Sequence, residues 1–205
     1  MLLKLSLTPN AATTPLTRLG ADVGISAAEF HGALNRTAAA ALLDLEQRRP
    51  RVTPFLEFLE HGIRYVFISR RGEITRGIPT AHSAAPLKNL LRGHGPPTEM
   101  NDQSDRPYAP IAQMHAQMHR ASEPTTVRGP LTLFWEQAQT QIVWSHPEGD
   151  VWGEGLEPLY PSIVEAARRD PKLHEYLALV DALRVGRARE RKLAIELLAK
   201  GMLGS

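Results

Sequence analysis

The stretch Val23-Gly24-Ile25-Ser26-Ala27-Ala28-Glu29 constrains this chain more than any other. Glycine tolerates the left-handed backbone that a tight turn needs. Ser26, followed three residues later by Glu29, is a capping box, in which each side chain satisfies the other's backbone N–H. The sequence beyond is rich in alanine, the best helix former, and predicts a helix from Ala27 to Leu43. Phe30, Leu34, Ala38, Ala41 and Leu42 recur at 3.6-residue spacing and give it one buried face. Upstream, Thr14-Pro15 reads as a helix start, with Thr14 as N-cap and Pro15 in the first turn. A short helix then runs to about Val23. The turn brings the two helices together through apolar faces, and the opposite face of the second is left for water or a partner.

Further along, Thr53-Pro54 predicts a helix ending near His61-Gly62. Residues 63–69, Ile-Arg-Tyr-Val-Phe-Ile-Ser, make the best strand by composition. Arg70 to Glu73 reads as its turn, with a weaker strand over 74–78. Residues 93–130 hold six prolines and few large apolar groups, the composition of a linker or insertion. The stretch 131–144 is compatible with helix or strand. His146 to Asp150 and Pro158 to Pro161 read as turns, and 163–169 as a short helix. The clearest long helical region is 173–198, with Gly186 as its weak point.

The chain has 205 residues and no cysteine, which excludes disulfides, iron–sulfur clusters, cysteine-liganded zinc and a thiol nucleophile. No apolar run approaches the roughly 20 residues of a membrane span, and no signal peptide is evident, so a cytoplasmic protein with no membrane partner is expected. Net charge is only +2, but it is unevenly placed. Residues 61–95 carry six basic groups and one acid, 96–160 three and nine, and 161–205 nine and six. Two basic zones flank an acidic middle, and that distribution says more about partners than the total does.

Residues 14–43 resemble the winged helix-turn-helix of bacterial transcription regulators, including the MarR-like group. The matching residues are Leu19-Gly20, Val23-Gly24-Ile25-Ser26, Phe30-His31, Leu34-Asn35-Arg36 and Ala41-Leu42-Leu43. Thr37 departs from the large apolar residue usual there. Ala41 stands where glycine often ends the helix, and the stretch from Asp44 to Thr53 is not a clear hairpin. The remainder is similar to uncharacterised bacterial proteins with an N-terminal helix-turn-helix. That likeness rests on residues 57–67, 75–82, 156–161 and 181–191, and it implies no reaction or ligand.

The resemblance implies binding of double-stranded DNA, as a homodimeric regulator. Helical spacing exposes Ala27, Ala28, His31, Asn35 and Arg36 for base reading, since asparagine pairs with adenine and arginine with guanine. Arg48, Arg49 and Arg51 would meet the phosphate backbone, extended by Arg64, Arg70 and Arg71. The competing reading is a protein-interaction module, antitoxin-like or a scaffold, whose helix-turn-helix packs on a partner protein. A third reading is a ligand sensor or enzyme using Arg76, Thr80, His82 and Ser83 as an anion or effector loop. His115 and His119, at i and i+4 with Met114 and Met118 alongside, lack a third metal ligand. No metal, cofactor or catalytic residue is expected. Asp181 with Arg184, and Glu190 with Arg187, read as helix-face ion pairs. Arg184, Arg187 and Arg191 would share one face.

The expected fold is therefore α+β and mainly helical. It comprises a helix-turn-helix domain over 1–52, a helix–strand region over 53–92, a Pro-rich insertion over 93–130 and a C-terminal helical region over 131–205 that contains a long helix.

Overall fold

The computed structural model describes residues 1–92 and 140–204. Among these the fold is α+β and mainly helical. Its N-terminal part is α1 (Leu2–Ser6), α2 (Leu16–Val23) and α3 (Ala27–Ala39). A two-stranded antiparallel hairpin follows, β1 (Leu43–Asp44) with β2 (Arg49–Pro50), pairing Leu43 with Pro50 and Asp44 with Arg49. Then come α4 (Val52–Glu57), a π-helical turn (Phe58–Gly62) and α5 (Ile63–Val66). Next are β3 (Arg71–Pro79), a 3₁₀ turn (Ala81–Ser83) and α6 (Leu87–Arg92). After the undescribed stretch come β4 (Ile142–Ser145), β5 (Val151–Leu156), α7 (Ile163–Arg169), α8 (Pro171–Val185) and α9 (Ala188–Leu203).

Helix α8 is the centre of the molecule. Tyr176, Leu177, Ala178, Leu179, Val180, Ala182 and Leu183 are all buried, together with Asp181 and Arg184, so its second half is enclosed on every side. It packs against α9, α7, α1, α5 and the 3₁₀ turn. Asp170 starts it by accepting the N–H groups of Lys172 and Leu173, both at 3.1 Å. Gly186 ends it, and the chain resumes as α9, whose first turn is closed by the Arg187 N–H donating to Glu190. The expected long C-terminal helix is thus two helices. The break also removes the register that would have aligned Arg184 with Arg187 and Arg191.

The sheet is small and closed. Strand β3 runs antiparallel to both β4 and β5, and those two pair in parallel. Gly77 sits where the strands meet, paired with Ser145 on one side and Val151 on the other. The region beyond residue 131 is therefore not wholly helical, because β4 and β5 lie within it.

Residues 63–69, the strongest strand by composition, do not form one. The helix of α4 and the π turn runs straight into α5, and only Ile63 of that segment is buried. Strand β3 forms instead over residues expected to be a turn and a weak strand. The expected helix start also shifts. Thr14 donates its hydroxyl to Asn10 O at 2.8 Å, and Pro15 takes the N-cap position of α2.

One hydrophobic cluster runs from Leu3 to Met202, so the first 52 residues share a core with the rest. Lys4 pins this junction, with Nζ 3.0 Å from Asp170 and 3.3 Å from Asp22. Partial burial works to lower the Lys4 ammonium, but these two carboxylates outweigh it and hold its pKa above the ordinary value. Ser162 at the start of α7 donates to Val23 O at 2.8 Å. Its Cβ also lies 2.6 Å from where a side chain on Gly24 would begin.

Helix α3 ends at Ala39 with Ala40 as its C-cap, and Ala41 is left-handed at φ 58°. A Cβ disfavours that backbone, and Ala41 is exposed, so little packing compensates. Ala41→Gly is expected to raise unfolding stability by about 1 kcal/mol. A urea midpoint unchanged or lowered would contradict this.

Candidate functional site

Helix α3 is built as the capping box requires. Ser26 Oγ accepts the Glu29 N–H at 3.2 Å, and Glu29 Oε2 accepts the Ser26 N–H at 2.9 Å. The hydrogen bond between the two side chains is the largest cause holding the Glu29 carboxyl below its ordinary value. Glu29 is thus committed to the cap. Phe30 and Leu34 point inward at 0% and 2% exposure. On the other side Ala28, His31, Asn35 and Arg36 are exposed, while Ala27 is half-buried. The Arg36 guanidinium folds back over Gly32, where a Cβ would stand 3.2 Å from its Nη1. Thr37, unusual in its position, is half-buried and donates to Ala33 O at 2.8 Å, which satisfies its hydroxyl inside the helix.

The β1–β2 hairpin directly follows α3. The three arginines on it and just after it differ in freedom. Arg48, left-handed at φ 47°, donates to Thr14 O at 2.9 Å and Ala11 O at 3.3 Å. That guanidinium ties the hairpin to the loop before α2. Arg49 is exposed and donates to Pro9 O at 3.0 Å. Arg51 is exposed, and its side chain has no hydrogen bond or ion pair among the described residues.

Arg64, Arg70 and Arg71 lie on α5, the following loop and the start of β3. Arg71 binds Glu154 Oε2 at 2.9 Å and the carbonyl of Val185, at the end of α8, at 3.2 Å. These contacts belong to β5 and α8, whereas α3 packs on α2 and β1.

The 75–83 loop is built into the core. Thr80 is 0% exposed, and its hydroxyl donates to Asp181 Oδ2 at 2.8 Å. Ser83 is buried and accepts the Ile142 N–H at 2.8 Å. Arg76 donates to Gly149 O, and His82 Nε2 meets Thr140 O at 2.9 Å. The hydrogen bonds of these four residues thus go to the protein's own groups, while His82 Nδ1 is buried without a hydrogen-bond partner, 3.8 Å from Glu190 Oε2.

Asp181 and Arg184 are not a surface pair, because both lie in the core at 1% and 8% exposure. Arg184 Nη1 donates to Asp181 Oδ1 at 2.6 Å, and Trp144 Nε1 to Oδ2 at 2.7 Å. Arg184 also donates to Phe67 O at 3.1 Å and Glu157 O at 3.2 Å. Burial pushes the Asp181 carboxyl above its ordinary value, against the pull of Arg184 and the hydrogen bonds from Thr80, Arg184 and Trp144. A signal for this network was present in the sequence: Asp181 interrupts the run Leu177-Ala178-Leu179-Val180 and Ala182-Leu183 with no polar neighbour.

A second polar cluster joins the β4–β5 turn to α7. His146 Nδ1 accepts the Glu148 N–H at 3.1 Å, so Nε2 carries the proton shared with Glu165 at 2.7 Å. That bond is the largest cause lowering the Glu165 carboxyl. No group of three or more His, Asp or Glu residues placed to hold a metal occurs among the described residues. His115 and His119 lie outside them. No helix among the described residues is long and apolar enough to cross a membrane.

No protein family, curated protein or solved structure matches this chain.

Proposed function

We propose that residues 16–50 act as a winged helix-turn-helix that binds double-stranded DNA through α3, and that the protein is a dimeric transcription regulator without catalysis. The observation that carries the reading is the exposed face of α3, where His31, Asn35 and Arg36 stand opposite the buried Phe30 and Leu34. An α-helix fits a major groove about 12 Å wide, and Asn and Arg are the residues that read adenine and guanine there. The hairpin after α3 supports the same reading, since a wing follows the second helix in this motif and the exposed Arg49 on it and Arg51 just after it are of the type that contacts phosphate. Two strong base readers per copy give modest specificity, which a two-fold dimer doubles. The competing reading, contact with a partner protein through α3, draws on Ala28 and Ala39, small exposed residues that let another helix approach closely.

The test is selection of binding sites from a pool of genomic duplex fragments at two salt concentrations. A sequence is expected to be enriched, with affinity falling as salt rises. Against that sequence, Asn35→Ala or Arg36→Ala should each cost about 1–3 kcal/mol and relax the preference, while Arg51→Ala should weaken all sequences alike. Absence of binding at low salt, or equal binding by all variants, would transfer α3 to the protein-contact reading.

A further inference from the structure

Four consecutive large side chains stand in water: Tyr65, Val66, Phe67 and Ile68, at 72%, 63%, 41% and 74% exposure. They end α5 and continue into the loop before β3. A contiguous apolar patch of this kind on a folded protein marks a contact surface. Beside Tyr65 an open cleft of about 360 Å³ lies between α5, the end of α8 and α9. Leu183, Ala188 and Ile195 give it an apolar part, but most of its lining is polar, and Arg64, Arg191 and Lys192 make it positive. Glu60 is the single acid lining it.

We propose that this ridge and cleft dock an acidic amphipathic helix of a partner protein. The charge selects the partner's sign, because carboxylates meet cations here. A second copy of this chain on a two-fold axis would set the same cations against each other. The concavity selects a helix over a bilayer. A flat lipid surface can rest on Tyr65 and Ile68 but cannot reach the cleft. One apolar side chain of a helix can enter it, while carboxylates three and four residues away meet Arg64 and Lys192. Nucleic acid would leave Val66 and Ile68 without apolar contact. The surface uses α5 and α9, so it stands independently of the role of α3.

The experiment is fluorescence anisotropy of the full chain with a labelled three-turn peptide of leucine, alanine and glutamate, with the leucines on one face. Binding is expected, weakened about tenfold by high salt and by the double change Arg64→Glu with Lys192→Glu. Tyr65→Ser with Ile68→Ser should weaken it about as much, since the apolar ridge is lost. All four residues are exposed, so circular dichroism and the melting temperature should not change. The same peptide with lysine for glutamate should not bind. Four outcomes would overturn the proposal: no binding of the glutamate peptide, equal binding of the lysine peptide, binding unaffected by either double change, or capture only by vesicles of phosphatidylcholine and phosphatidylserine. Self-association that Tyr65→Ser abolishes would overturn it too, assigning the ridge to a second copy.

Discussion

Replacing Asp181 with alanine is expected to destabilise the fold by about 3–5 kcal/mol. The carboxylate accepts hydrogen bonds from Thr80, Trp144 and Arg184, and it is 1% exposed. Without it the Arg184 guanidinium is a buried charge with only two carbonyls for company. The indole N–H of Trp144, 1% exposed, loses its acceptor at the same time. Asp181→Asn should rescue little. Its amide restores one acceptor but turns an NH₂ toward groups that also donate. The informative control is Asp181→Leu with Arg184→Met. Removing both charges should recover part of the loss, because a buried pair often contributes less than apolar packing of similar volume. Urea unfolding of the three variants measures this. A loss under about 1 kcal/mol for Asp181→Ala would mean that water reaches the site.

The second large effect is expected at Gly77. A Cβ there would lie 2.1 Å from the Trp144 carbonyl oxygen and 2.9 Å from Val143 Cβ. From the other side, a Cβ on Gly149 would lie 2.3 Å from the backbone of Gly77 itself. The neighbours are backbone atoms of a closed sheet, which cannot swing aside as a side chain can. Gly77→Ala should therefore cost about 3 kcal/mol, at the upper end of overpacking effects. Gly72→Ala, where the nearest atom is 3.7 Å away, is the control and should be close to neutral. Matching urea midpoints for the two variants would show that β3 can shift along β4 and β5 without penalty.

Both sites involve partners far away in sequence, and this separates what was legible from what was not. The Gly24 turn, the Ser26–Glu29 capping box, the inward face of Phe30 and Leu34, and the exposure of Asn35 and Arg36 were all readable. So was the short helix over 163–169. Each depends on groups within about a turn of helix, where backbone propensity and capping decide the outcome. The segment 63–69 shows the opposite. Its β-branched and aromatic residues suit a strand, but strand propensity counts only where a neighbouring strand pairs with it. No strand pairs there among the described residues, and the helix running in from the π turn continues through Val66. Strand β3 formed over a stretch with glycine and proline because β4 and β5 supplied its ladder. The same holds for charge. Sequence spacing set Asp181 and Arg184 three residues apart on one helix but could not say which way that face turned.

What the sequence by itself determined was the helical N-terminal unit, its turn and cap, and the face it leaves exposed. The tertiary structure alone decided the closed three-stranded sheet, the burial of Asp181 and Arg184, the commitment of Arg48, Thr80 and Ser83 to internal partners, and the exposure of Tyr65 to Ile68. The physical reason is range. Capping and helix periodicity act within a few residues, whereas burial and strand pairing depend on chain brought together across most of its length.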